Sequence, residues 1–213
     1  MRAPVTATVM LTAMMFPIAA FSGDPYNGPK AAVVFHSMSH SLDVDRDSDK
    51  SSLAGEYSDS LTMSGSGFRL GRMNREESSV TSLYFEFISA DEAEFDLADD
   101  ITAELGNTIL FGGSLGHAFF PHMIYASLGL GVTYFNYTVE DTIDLTDDYA
   151  PGLAIGIGYS GTLSDVWSFF AEYRRISMSG EYERTELLSG DTTEEHDLEL
   201  ELDHLSAGFR ASF

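Results

Sequence analysis

At 213 residues the chain is long enough for a single all-β domain with a sizeable core. Its formal charge of −23 repels nucleic acid, whose phosphates demand Lys and Arg. With no cysteine, a disulfide framework and a lipid-bearing cysteine are both excluded, so stability must come from packing and backbone pairing.

The chain begins with Arg2 and a mostly apolar, uncharged stretch holding Val9, Leu11, Met14, Phe16 and Ile18, then turns polar at Ser22-Gly23-Asp24. With Ala20-Phe21-Ser22 as a small-x-small cleavage site, this predicts a cleavable signal peptide over 1–22. Pro4 and Pro17 sit poorly in the alternative, a buried helix. A short segment, 23–29, leads into one domain over 30–213. Nothing later approaches the roughly 18–20 apolar residues of a membrane helix, so a membrane span here must be made of strands.

Eight stretches of period two follow, near 31–41, 61–73, 80–89, 108–119, 123–137, 152–160, 166–177 and 200–213. Their connections alternate long and short, the short ones being 74–79, 120–122 and 161–165. That rhythm predicts an eight-stranded antiparallel up-and-down transmembrane β-barrel, with tight turns and both termini at one end and long loops at the other. Of the 34 acidic residues, 26 fall in the long connections, beside only Arg46, Lys50 and Arg184, so the negative charge belongs to one rim.

Which face is oily decides the solvent. Leu153, Ile155, Ile157 and Tyr159 alternate with Ala154, Gly156, Gly158 and Ser160. Ile124, Leu128, Leu130, Val132 and Tyr134 alternate in the same way with Ser127, Gly129, Gly131 and Thr133. Small residues make a poor soluble surface but fit the narrow lumen of an eight-stranded barrel, so the aliphatic face is expected to meet lipid. The same parity turns Arg69, Glu86, Glu172, Arg174 and Arg210 inward, where acids and arginines can neutralise one another as a lumen charge network. Phe119 and Trp167 near the short turns, and Tyr134, Tyr137 and Tyr173 toward the long loops, fit two aromatic girdles.

Few motifs carry chemistry. "DRDSDKSSLAGE" puts Asp45, Asp47, Asp49 and Glu56 at positions 1, 3, 5 and 12 of a calcium-loop pattern, but Lys50 stands where the sharp turn needs glycine. No dedicated metal site or cofactor is expected, and diffuse, weak association of divalent cations with the acidic loops is the reading that charge supports. "HSMSHS" puts His36, Met38 and His40 on one strand face, a spacing that could hold a soft metal but reads better as lumen packing.

The last strand, "SAGFRASF", ends on Phe213. With the signal peptide and eight alternating strands, the chain over about 30–213 resembles the small outer-membrane β-barrel proteins of Gram-negative bacteria, the OmpA transmembrane-domain and OmpX group. The resemblance implies that Leu205, Phe209 and Phe213 form the signal read by the barrel-assembly machinery. It also implies a monomer among outer-membrane lipid and lipopolysaccharide, with long loops extracellular and termini periplasmic. The expected role is structural or interactive, in envelope integrity or acidic-loop display, rather than a wide pore or an enzyme. Two alternatives stand beside it. A lipid A-modifying enzyme would need an outward His/Ser pair near the external rim, whereas the nearest pair, His204 and Ser206, has inward parity. A soluble lipocalin-like carrier would need an oily interior and a wet exterior.

Overall fold

A computed structural model describes residues 24–48, 55–90, 93–98, 101–139, 143–186 and 192–213. The proposed signal peptide and Asp49 lie outside them. The described residues form nine strand segments: β1 (Gly28–Ser48), β2 (Gly55–Glu76), β3 (Ser79–Ala90), β4 (Ala93–Ala98), β5 (Ile101–Phe119), β6 (His122–Val139), β7 (Ile143–Thr162), β8 (Trp167–Glu186) and β9 (Thr192–Ser212). Each pairs antiparallel with its neighbours, and β3 pairs with β5 through Ser79↔His117 to Ile88↔Thr108, which closes the sheet. The short β4 runs on in line with β3 along the upper part of β5, from Ala93↔Leu105. Nine segments therefore make eight staves of a closed, antiparallel barrel, with no helix among the described residues.

The short connections fall where the sequence places them: Glu77-Ser78, Phe120-Pro121 and residues 163–166. The first turn is tight enough to hold Glu77 at a φ of 55°, steadied by Arg75 Nε, which donates to the Glu77 carbonyl at 2.7 Å. Residues 24–29 and Phe213 share this end, the Phe213 amide donating to the Pro29 carbonyl at 3.2 Å.

The strands are much longer than the sequence reading, and the long connections correspondingly shorter. β1 runs on to Ser48 and β2 begins at Gly55, so most of the stretch read as an acidic loop is ladder, with Asp45 opposite both Glu56 and Asp197. The cause is visible in "LDVDRD" and "DLELELD", where aliphatic residues keep the inward parity and acids the outward one.

That pattern divides the barrel by height. Toward the short turns the exterior is oily: Leu130 is 68% exposed, Ile157 67% and Leu205 60%. On β6 the band runs from Ile124 to Val132 and on β9 from Leu205 to Phe213, close to the roughly 9–11 residues a tilted strand needs to cross a bilayer. Further up the same strands the exterior becomes Ser37, Ser39, Asp43, Asp45 and Asp47 on β1, and Glu201, Glu199 and Asp197 on β9. There the interior is a closed apolar core built around Leu42, Phe95, Leu105, Phe135, Ile176 and Leu202. The expectation of a lumen plugged throughout by small and charged groups holds only for the lower half. Above the belt, water replaces lipid outside, and the barrel takes the oily-inside, polar-outside arrangement of a soluble domain.

Candidate functional site

The lumen is filled in tiers, most easily followed up the inward face of β1: Lys30, Ala32, Val34, His36, Met38, His40, Leu42, Val44. At the bottom, Asp24–Asn27 folds across the short-turn end. Tyr26 is fully enclosed there against Met73, Val80, Ala118, Met123 and Tyr125, and its hydroxyl donates to the Pro121 carbonyl at 2.9 Å. Sequence periodicity cannot find this plug, because Tyr26 precedes the first strand. Arg75 Nη1 donates to Asp24 Oδ2 at 3.0 Å and ties the segment down.

The ionic tier lies above. Arg69 and Glu86 are cross-strand partners on β2 and β3, and Glu172 and Arg174 stand two residues apart on β8, three staves away. The four close a ring of alternating charge: Arg69 to Glu86 at 2.9 Å, Glu86 to Arg174 at 2.8 Å, Arg174 to Glu172 at 3.0 Å, and Glu172 to Arg69 at 2.8 Å. Ser127 Oγ donates to Glu172 Oε1 at 2.6 Å, and Arg69 lies over the Tyr84 and Phe170 rings. β7 makes room by carrying glycine at the facing positions. A Cβ on Gly156 would stand 2.7 Å from Ser127 Oγ, and one on Gly158 would stand 2.3 Å from the Tyr125 ring. Arg174 is wholly enclosed, although its neighbour Arg175 stands on the outer surface.

Arg210 is not part of this ring. It points inward as expected, yet among the described residues no carboxylate lies within salt-bridge distance of it. Its Nη1 faces the Met73 sulfur at 3.2 Å and its plane covers Phe170. Parity fixes the face a residue occupies but not its height, and Arg210 sits a tier lower, opposite Ala32 and Ser168.

Three imidazoles occupy the next tier. His204 lies between His36 and His40, with ring centroids 5.8 and 5.5 Å away, and all three are buried. Among the described residues, neither ring nitrogen of His40 or of His204 has a hydrogen-bond partner. Ser206 Oγ and His36 Nδ1 are hydrogen-bonded at 2.8 Å, and His36 Nε2 stands 3.6 Å from Glu86 Oε1. The pairing of Ser206 is therefore with His36 rather than His204. Ser, His and carboxylate stand in series, but Ser206 is fully enclosed.

The exterior residues divide as follows. Phe119 and Trp167 are exposed near the short turns, and Tyr173 is exposed at the upper edge of the belt. There the Tyr173 hydroxyl donates to Asp203 Oδ1 at 2.6 Å, and Arg175 makes two hydrogen bonds to Asp203 at 2.9 Å, which hold its carboxyl below the usual range. Tyr134 is half-buried. Tyr137 does not belong to a girdle: it is fully buried in the upper core, because it shares parity with Phe135 and Thr133. Leu205, Phe209 and Phe213 all face outward along the belt.

The calcium-loop candidates do not converge. Asp45 and Asp47 alternate along β1 and Glu56 lies across from Asp45 on β2, so the described members line an extended ladder rather than wrap a turn. Among the described residues no cluster of three or more His, Asp or Glu has metal-binding geometry.

A closed antiparallel barrel with an oily girdle of bilayer height and a tightly packed lumen has the architecture of a membrane-spanning β-barrel. No family model and no curated protein matches the chain. Among solved structures it is similar to Neisserial surface protein A, with 14% identity and a TM-score of 0.47 over 84% of this chain and 97% of that one. It is similar also to Ail, the attachment invasion locus protein of Yersinia pestis, with 14% identity and a TM-score of 0.46 over 86% and 99%. The outer membrane protein OprG from Pseudomonas aeruginosa shares 10% identity and a TM-score of 0.48 over 91% and 100%.

Proposed function

We propose that the protein is a sealed barrel of the bacterial outer membrane that carries a folded acidic collar above the bilayer on the cell-surface side. The short turns and residues 24 and 213 face the periplasm. Its role is structural and interactive: it anchors a charged, rigid surface at the height of the lipopolysaccharide headgroups, where divalent ions can bridge the two. One observation carries this reading: with no change of strand, the outward face passes from Val33 and Phe35 through serines to Asp43, Asp45 and Asp47 on β1, and from Phe209 and Leu205 to Asp203, Glu201, Glu199 and Asp197 on β9. Conduction is disfavoured because every tier of the lumen is occupied, from Tyr26 through the ion ring to the apolar core. The oily exterior disfavours a soluble carrier, and the enclosure of Ser206 disfavours hydrolysis at the Ser206–His36 pair.

The absence of cysteine makes the test direct. Glu199→Cys places a thiol on the collar and Asn74→Cys one beside a short turn. A membrane-impermeant maleimide is expected to label Glu199→Cys on intact cells, and Asn74→Cys only after the outer membrane is breached. The reverse pattern would invert the orientation, and recovery of the protein in the soluble fraction without detergent would overturn the membrane reading.

A further inference from the structure

The lumen below the histidines is not electrically balanced. Among the described residues it holds Lys30, Arg69, Arg174 and Arg210 against Glu86 and Glu172, and the ring of four consumes both carboxylates. Two cations remain, Lys30 and Arg210, each with 6% of its surface exposed, in a chain whose overall charge is −23. Asp24, in the segment that folds across this end, is engaged by Arg75. A buried guanidinium without a counter-charge is among the costlier things a fold can hold.

Beside these two cations the lumen leaves a space. A partly open cavity of about 30 Å³, reaching the wall at Arg72 and Leu83, is lined by Lys30, Arg69 and Arg210 and by the Ser82–Ser114 pair, and no carboxylate lines it. That exceeds the roughly 10–15 Å³ a single water requires. Donors surround it. Arg69 Nε is buried without an acceptor, although the Nη2 of the same group is saturated by the two glutamates. Among the described residues, the direct contacts of the Arg210 guanidinium are a sulfur and a ring face. Ser82 and Ser114 share one hydrogen bond at 2.7 Å, which leaves the second hydroxyl proton free to donate. Lys30 Nζ donates to the Asn27 carbonyl and to Ser212 Oγ at 2.9 Å, which leaves one of its three protons.

We propose that this cavity is a buried site for a small monovalent inorganic anion of the chloride class, held between Lys30, Arg69 and Arg210 as the counter-ion that the glutamates do not supply. The ion is a structural part of the lower plug, locking the lumen beneath the charge ring. Its size limit follows from the cavity, which rejects carboxylates as large as gluconate.

The test uses the full barrel refolded in detergent. Thermal unfolding is followed by the fluorescence of Trp167, the one tryptophan, while sodium gluconate is exchanged for sodium chloride or bromide at constant ionic strength. The midpoint is expected to rise with halide and then follow the logarithmic law of a bound ligand. Arg210→Met is expected to abolish the halide dependence, and Arg175→Gln, on the outer surface, to keep it. Should Arg210→Met fail to fold, crystals of the unaltered protein grown in bromide are expected to show an anomalous peak between Arg210 and Lys30. A midpoint indifferent to halide, an equal halide response in folded Arg210→Met, or a bromide map showing only water in the cavity would each overturn the proposal.

Discussion

Glu172 is held by two arginines and a serine at once, so its charge cannot be removed quietly. Glu172→Gln leaves Arg69 and Arg174 sharing Glu86 alone, and the loss expected for a broken buried pair is about 3–5 kcal/mol. Urea unfolding in lipid vesicles measures it, and adding Arg174→Met, which removes the surplus cation, is expected to recover part of the loss. The unpartnered imidazoles predict the opposite sign. Among the described residues His40 has no acceptor or donor at either nitrogen, and a buried unsatisfied polar group costs about 1–3 kcal/mol, so His40→Leu is expected to raise the unfolding midpoint. A fall would show that the ring has a partner worth keeping. At this scale the sequence was legible in one respect: parity placed all five lumen charges on the inward face. It could not reveal that four of them meet and Arg210 does not, because the height of one stave against another three positions away depends on barrel shear rather than on any local pattern.

β7 shows how a strand serves a site it hardly contributes to. Its inward residues at the ring are Gly156 and Gly158, paired on one side with Ser127 and Tyr125 and on the other with Arg174 and Glu172. Side chains from β6 and β8 lean across the gap that the glycines leave. Gly158→Val drives a side chain into the Tyr125 ring, which is itself buried in a cluster with Tyr26 and Met123. The expected loss is about 1–3 kcal/mol, the usual cost of overpacking, read as a lower urea midpoint or as loss of the compact unboiled gel band. Elements were legible where the outward face was oily and illegible where it was acidic. The alternation Leu198, Leu200, Leu202 against Asp197, Glu199, Glu201 is as regular as any in the chain, and β9 extends up to Thr192. Acid density suggested loop, whereas period two was the better guide. Tyr137 failed for a related reason: position near a long connection suggested a girdle, while its parity with Phe135 placed it in the core.

As a whole, the molecule is one continuous ladder immersed in two solvents, and the same strand obeys opposite rules at its two ends. On β9, Phe209 and Glu199 both point outward, ten residues apart, the first in the oily belt and the second on the collar opposite Asp43. An arginine introduced at each distinguishes the environments with a single chemistry. Phe209→Arg places a cation against hydrocarbon, and the expected penalty is about 2–4 kcal/mol for a position near the bilayer midplane. Glu199→Arg replaces a like-charge cross-strand pair with an opposite-charge one, and is expected to stabilise by about 0.2–1 kcal/mol. The gain should shrink as salt is added, since both partners stand in water. The inward side reverses the comparison: Leu202→Arg would charge the apolar core of the collar and is expected to destabilise as strongly as Phe209→Arg, although it lies above the belt. Urea midpoints of the three variants in vesicles decide the matter. Equal penalties for Phe209→Arg and Glu199→Arg would mean that one solvent surrounds both ends of the barrel, and the division into belt and collar would fall.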